Sequence, residues 1–354
     1  MRDPAAFARE GYARNAIAYR CVRLIAEAAA SAPLQVGPRD HPVARLLARP
    51  NPEQTGIELL EAFYGHLQVS GNAYLEAASF GEDAPTELYV LRPDRVSVVP
   101  GADGWPVGWE HRVGANVRRF ARDPLSNDAP ILHLKLFNPT DDHYGLSPME
   151  AAAFSIDIHN AGGAWNKALI DNAARPSGAL IFTGAGGADR LSEEQFQRLK
   201  SELDDMHAGA ANAGRPMVLE GGLEWRPMSL SPSEMDFAEA RHAAARDIAL
   251  AFGVPPMLLG IPGDNTYSNY REANLAFWRQ TALPLAQKAA RAIEAWIGAR
   301  WPDAAPAAVT VDLENVPALT VEREALWARI GAADFLTEDE KRRMAGVEAP
   351  ERAQ

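Results

Sequence analysis

Apolar positions along this chain fall into two regimes, one with helical spacing and one of short strand-like runs. From Asn15 to Ala32 the pattern predicts an amphipathic helix with Ile17, Cys21, Leu24 and Ile25 on one side, ended by Pro33. The following Pro50-Asn51-Pro52 predicts a turn, because each proline bars its predecessor from helix. Thr55, with Glu58 three residues on, has the signature of a reciprocally capped helix start. Beyond Gly71 the segments AYLEA, TELYVL, RVSVVP and ILHLKLF are separated by Gly, Pro and Asp, and predict the strands of an α+β domain.

The character changes at Ser147-Pro148-Met149-Glu150, an N-cap serine, a proline at the first helical position and a glutamate at the third. A helix is predicted from there to Asn172, with Ile158, Ala161, Trp165 and Leu169 in register and a length of roughly 35–40 Å. The Gly162-Gly163 pair predicts a bend within it. Ser231-Pro232-Ser233-Glu234 repeats the same opening and starts a second helix through Ala238, Ala245, Ile248 and Phe252, stopped by Gly253 and Pro255-Pro256. Between the two rods lies a small mixed insert: a strand GALIF, a helix capped by Ser192, a Gly/Ala/Asn turn, and strands RPMVLE and LEWRPM. After the irregular GVPPMLLGIPGDNTYSNY comes a helix from Asn269 to Ile297, which Pro284 is expected to kink. A strand VTVDL and two short helices follow, the second capped by Thr337 with Glu340. Two long helices around a small αβ module is an unusual order for an enzyme.

The 354 residues allow two domains or one elaborate one, and 47% hydrophobic residues suffice for a core. The single cysteine, Cys21, excludes an internal disulfide and a cysteine metal cluster; its helical setting predicts a small buried apolar residue. No apolar run approaches the roughly 18–20 residues of a membrane span. The start MRDPAAFAREGYARN lacks the basic-then-apolar order of a secretory signal, so synthesis in the cytoplasm is expected. The formal net charge of −12 argues against a repressor or nuclease that grips phosphates through a basic face. It is compatible both with an ordinary acidic protein and with a surface along which DNA slides without sticking.

Catalytic and metal motifs are weak. Asp141-Asp142-His143, with His133 nearby, has metal-ligand chemistry, but no second cluster at metal spacing supports it, and turn residues are the expectation. Gly184-Ala185-Gly186-Gly187 lacks the Lys-Ser/Thr of a phosphate loop. Ser147 has a capping role, and the position two residues on is Met149, so it is no nucleophile elbow. No acid, base and nucleophile come together, and neither catalysis nor a cofactor is expected.

Eight segments, in order, resemble the portal family of tailed phages of the Hong Kong 97 type: HPVARLLARPNPEQT (41–55), GNAYLEA (71–77), ELYVLRPDRVSV (87–98), ILHLKLFNP (131–139), YGLSPMEAA (144–152), ARPSGALI (174–181), RPMVLEGGLEWRPMS (215–229) and the run from Ile248 to Glu294. The short length and lack of long tails look closest to portals of gene transfer agents, phage-derived particles that package host DNA. The resemblance implies an α+β portal fold in a ring-forming subunit. It places residues 1–145 in the wing, 146–172 in stem helix 1, 173–230 in the clip, 231–253 in stem helix 2 and 254–270 in the tunnel loop. Residues 271–318 complete the wing and 319–354 form a short crown. It further implies a ring of about twelve copies at one vertex of a virion or gene transfer particle, assembled in the host cytoplasm. The implied partners are the neighbouring copies, double-stranded DNA held without sequence preference, the major capsid protein, the large terminase and a head-tail adaptor, with no membrane. ATP hydrolysis during packaging is expected of a separate motor protein.

The residues suit that role. The loop tip Gly263, Asp264, Asn265, Thr266, Tyr267 and Ser268 carries no lysine or arginine and is the expected contact with passing DNA; without the resemblance it reads equally as a surface loop packed by its own side chains. The acids Glu150, Asp157, Glu234, Asp236, Glu239 and Asp247 either face the bore, with Glu234, Asp236, Glu239 and Asp247 the foremost of them, or form a solvated helix face. The competing readings are another head-tail connector or adaptor, and a cytosolic enzyme.

Overall fold

The computed structural model describes residues 4–79, 84–126, 128–171, 178–182, 192–194, 196–198, 200–201, 223–227, 237–263, 267–297, 300–301 and 306–345. The chain divides into two compact units, one of Met1–Ala152 with Ala249–Gln354 and one of Ala153–Ile248.

In the first unit the helix Ala16–Ser31 begins where the Asn15 side chain accepts from the N–H groups of Ile17 and Ala18, at 3.1 and 3.0 Å. Its buried face is Ala18, Cys21, Val22, Ile25, Ala26, Ala29 and Ala30. Ile17 and Leu24, expected on that face, are only half-buried. The small alanines set the face because they let this helix lie close along helix Gly56–Ser70. That second helix opens on the predicted reciprocal cap: Glu58 N–H donates to Thr55 Oγ1 at 3.4 Å, and Thr55 N–H donates to Glu58 Oε2 at 2.7 Å. It ends at Gly71, in the left-handed region at φ 74°.

The strands form antiparallel sheets. β1 (Leu34–Gly37) pairs with β10 (Ala308–Val311) from the far end of the chain. β2 (Asn72–Ala78) lies between β3 (Glu87–Leu91) and β7 (Ile131–Lys135). β4 (Val96–Pro100), β5 (Pro106–Val113) and β6 (Asn116–Ala121) make a meander. Tyr74, Leu91, Val96, Trp109, Phe120, Ala129 and Ile131 form one buried cluster that joins these two three-stranded sheets. Four predicted strands and the late VTVDL strand are present. β1, β5 and β6 were not anticipated, since PVGWEHRV and NVRRFA bury few residues and their alternation is faint.

Helix Tyr267–Phe277 continues through a π-helical stretch, Trp278–Ala282, into helix Leu283–Ile297. The proline ring at Pro284 removes one N–H and crowds the carbonyl four residues back, and a widened turn just before it relieves both. A π segment therefore stands where a kink was expected.

The predicted single rod from Ser147 is two helices, Pro148–Ala151 and Ala153–Asp171, separated at Ala152. Ser147 does cap the first, accepting from Glu150 N–H at 2.9 Å. The second unit begins with helix Ala153–Asp171, which runs through Gly162-Gly163 without interruption, so the break falls ten residues before the expected bend. The unit also holds β8 (Gly178–Phe182) paired with β9 (Leu223–Pro227), Gly178 opposite Pro227 and Phe182 opposite Leu223. Phe196 N–H donates to Ser192 O at 2.9 Å, the first turn of the helix predicted from Ser192. The RPMVLE strand, the Gly/Ala/Asn turn and the Ser231-Pro232-Ser233-Glu234 opening lie outside the described residues. Helix Phe237–Ala251 is described from its fourth residue after Ser233 onward.

Candidate functional site

The chain reaches the first of its two long helices through a buried polar junction. Asn72, only 4% exposed, accepts from Gly145 N–H at 2.8 Å and donates to Ser70 O at 2.8 Å. His133 Nε2 lies 3.0 Å from the same Asn72 Oδ1, and its ring stacks on Tyr74 with centroids 4.3 Å apart. Burial, with Lys135 and His143 nearby, pushes the His133 pKa down to about 3, so the neutral ring donates to the amide oxygen. Tyr144 Oη accepts from Val98 N–H at 2.9 Å, and Leu136 N–H donates to Gly71 O at 2.9 Å. A Cβ on Gly145 would run into the Gly71 carbonyl and come within 2.6 Å of Leu136 N, so glycine is required there. Helix 56–70, β2, β7, and residues 144–147 are thereby locked at one point.

Of the residues weighed as a metal site, His133 is held by Asn72 and Asp141 closes a turn. Asp141 Oδ1 accepts from His143 N–H at 2.7 Å and from Tyr144 N–H at 2.9 Å, which is a turn. Among the described residues no group of three His, Cys, Asp or Glu side chains has metal-holding geometry.

The two long helices of the second unit run antiparallel. Ser155 Oγ donates to Asp247 Oδ2 at 3.4 Å near one end, while a Cβ on Gly163 would sit 3.9 Å from Arg241 Nη2 further along. His159 titrates below its usual value, through burial first and the Arg241 charge second. On helix 153–171 the buried positions are Ile156, His159 and Gly162. Ile158 and Ala161, which share helical spacing with Trp165 and Leu169, are exposed, Trp165 is half-buried, and the side chain of Leu169 is outside the described residues. The helical spacing holds, and the stripe it defines lies on the outside of this chain, where Phe154, 76% exposed, extends it. On helix 237–251 the expected Ala245 and Ile248 are buried, as is Phe252 just beyond. Leu250 is 78% exposed.

The acids are distributed unevenly. Glu239 and Asp247 are exposed on helix 237–251, Asp157 is exposed on helix 153–171, and Glu150 is half-buried. Glu234 and Asp236 lie outside the described residues.

The segment after helix 237–251 is folded by two glycine-ended turns. Val254 N–H donates to Ala249 O and Gly253 N–H to Leu250 O, both at 2.9 Å, with Gly253 left-handed at φ 66°. Thr281 Oγ1 donates to Gly253 O at 2.6 Å and holds this turn. The pattern repeats after Pro256–Leu259: Ile261 N–H donates to Pro256 O and Gly260 N–H to Met257 O, both at 3.2 Å, with Gly260 at φ 71°. Val254 and Ile261 are buried anchors. Of the predicted loop tip, Gly263 and Ser268 are exposed, Tyr267 and Ser268 open helix Tyr267–Phe277, and Asp264, Asn265 and Thr266 lie outside the described residues. Sequence reasoning marked this whole stretch irregular; the two Gly residues seven apart, each followed by a branched apolar residue, were the available signal.

The sequence profile of the family described as phage portal protein matches residues 16–346. The chain belongs to the phage portal protein family. It is 41% identical, over 96% of its own length and 88% of theirs, to uncharacterized proteins of Rickettsia bellii and Rickettsia felis. It is 28% identical to the portal protein of Enterobacteria phage HK97, over 79% of this chain and 66% of that one. Among solved structures, a chain from the neck of an empty gene transfer agent particle is similar with a TM-score of 0.78 and 54% identity, over 99% of this chain and 95% of that one. A portal of the HK97 family from Corynebacterium diphtheriae shares the fold, with a TM-score of 0.62 over 91% of this chain and 99% of that one. The resemblance read from the sequence is thus confirmed. The role that goes with it is that of a portal protein in a phage-like or gene transfer particle, a structural component rather than an enzyme.

Proposed function

We propose that copies of this chain close head to tail into a ring of about twelve around a channel for double-stranded DNA, at one vertex of a phage-like or gene transfer particle. The observation that carries this reading is the 54% identity, across 99% of the chain, with a chain in the neck of a native gene transfer agent particle computed with C12 symmetry. In this reading residues 1–145 and 271–318 are wing, 146–172 and 231–253 stem, 173–230 clip, 254–270 tunnel loop and 319–354 crown. Two features support it. The second compact unit contains helix Ala153–Asp171 and all but the last turn of helix Phe237–Ala251, with the β8–β9 pair between them in sequence. The exposed apolar stripe of Phe154, Ile158 and Ala161 is the surface a helix needs to pack against its copy.

The ring's further partners are the major capsid protein on its outside, and the large terminase and then a head-tail adaptor at the clip. The exposed acids Glu239 and Asp247, joined by Glu234 and Asp236, face DNA in the bore and repel it, and the tip 263–268 brushes the backbone without cationic grip. Negative-stain electron microscopy of the purified chain tests the assembly: rings of about a dozen subunits with a central hole are expected, and small compact particles at all concentrations would refute it. The low-friction channel has its own test. Particles built with Asn265→Lys and Ser268→Lys are expected to package DNA more slowly, and a normal rate would overturn that account.

A further inference from the structure

The C-terminal helices carry a groove and a knob of opposite character. A groove of about 430 Å³ lies between the π segment and helix Thr320–Gly331, lined by Arg279, Leu319, Arg323, Ala325, Leu326 and Arg329, with Glu322 also at its wall. Three guanidinium groups thus stand against one carboxylate over an apolar floor. Arg279 pairs with Glu322, and Arg323 with Glu314, but Arg329 is exposed and has no ion-pair partner among the described residues. Arg323 also donates to Ala345 O at 3.2 Å, and its Nε is buried with no partner among the described residues.

The knob is Phe335, in the turn between helices Thr320–Gly331 and Glu338–Ala345 and 87% exposed. Asp334, Glu338 and Asp339 flank it, all exposed and without ion-pair partners among the described residues. Glu340 is occupied in the reciprocal cap with Thr337, which holds the turn in shape: Thr337 N–H donates to its Oε2 at 2.8 Å. The knob is therefore a preformed aromatic in an acidic collar.

We infer that the groove of one copy receives Phe335 and its flanking acids from the next copy in the ring. The inference rests on the ring reading above and assigns one of its subunit contacts. Groove and knob match in charge and in apolar content, and Phe335 does not fill its own chain's groove, since it is almost wholly exposed. A contact between two different patches of the same chain is the head-to-tail type that closes a ring. Duplex DNA fits the groove less well, because it offers phosphates but nothing for the Leu319 and Leu326 floor.

Cross-linking tests the contact. In the Ala325→Cys/Phe335→Cys double variant both sites are exposed, so folding is undisturbed. The native Cys21 is buried, with its thiol pushed up to about 12, and stays silent. Oxidation is expected to give a ladder of covalent multimers on a denaturing gel, where either single variant stops at a dimer. Phe335→Ser is expected to lower the assembled fraction about tenfold. Rings of normal size with no ladder would overturn this contact while leaving the ring intact; a wild-type chain that forms no rings would overturn both. If Arg329→Glu abolished binding of a labelled duplex and left assembly unchanged, the groove would be a phosphate site and the inference wrong.

Discussion

Gly71 and Gly145 press their backbones together, whereas in the helical pair Gly162-Gly163 the first faces open space and the second only brushes the Arg241 guanidinium. A Cβ on Gly71 would stand 2.6 Å from the Gly145 carbonyl carbon, yet a Cβ on Gly162 would meet nothing within 4 Å, although the residue is buried. The first pair is needed by the fold of a single chain. The second leaves room along the helix proposed for the stem, where a neighbouring copy can come close. Glycine thus does two jobs in this chain, and the surroundings distinguish them where sequence does not.

The largest effect expected from that contrast is at the junction. Gly145→Ala should cost on the order of 3–5 kcal/mol, because the obstacles are backbone atoms that cannot move aside; chemical denaturation measures it. If Gly145→Ala were as stable as wild type, the junction would not be the rigid point described. Next comes acid. His133 and His66 are both half-buried, and desolvation holds their pKa values down to about 3 and about 4. The unfolded chain binds these protons near the usual 6.5 and the folded chain does not, so stability is full above that value and falls as pH drops toward 4. With both groups contributing, the slope is at most about 2.7 kcal/mol per pH unit. Thermal melts from pH 7 to 4 should show it, with His66→Gln removing about half.

Asn72→Ala, which strands Gly145 N–H in the same junction, should cost about 2–3 kcal/mol in the same denaturation assay. The smallest effect has the opposite sign. Gly162→Ala should raise the stability of the isolated chain by about 1 kcal/mol, through helix propensity alone. Should the same variant also hinder ring formation by electron microscopy, the empty space beside Gly162 is filled by another copy. Unhindered assembly would place the subunit contact elsewhere on the helix.

Local devices were legible in the sequence because their partners are a few residues away. The caps at Thr55, Ser147 and Thr337 and the stop at Gly253 all formed as read. So did most strands of the first unit, whose short apolar runs are bounded by Gly, Pro and Asp. The helix from Ser147 was located, but neither its break at Ala152 nor its buried face was. A stripe of Ile158, Ala161 and Trp165 is apolar whether it meets its own chain or another copy, and spacing cannot tell the two apart.

By itself the sequence determined the family, through eight segments in order, and the start and stop of most helices, since those depend on hydrogen bonds closed within one turn. Only the tertiary structure decided that β1 pairs with β10 some 270 residues on, that Asn72 and His133 meet at Gly145, and that Arg279 and Arg329 share one groove. Such contacts join residues whose separation along the chain leaves no periodic trace, and they exist only once the chain has closed on itself.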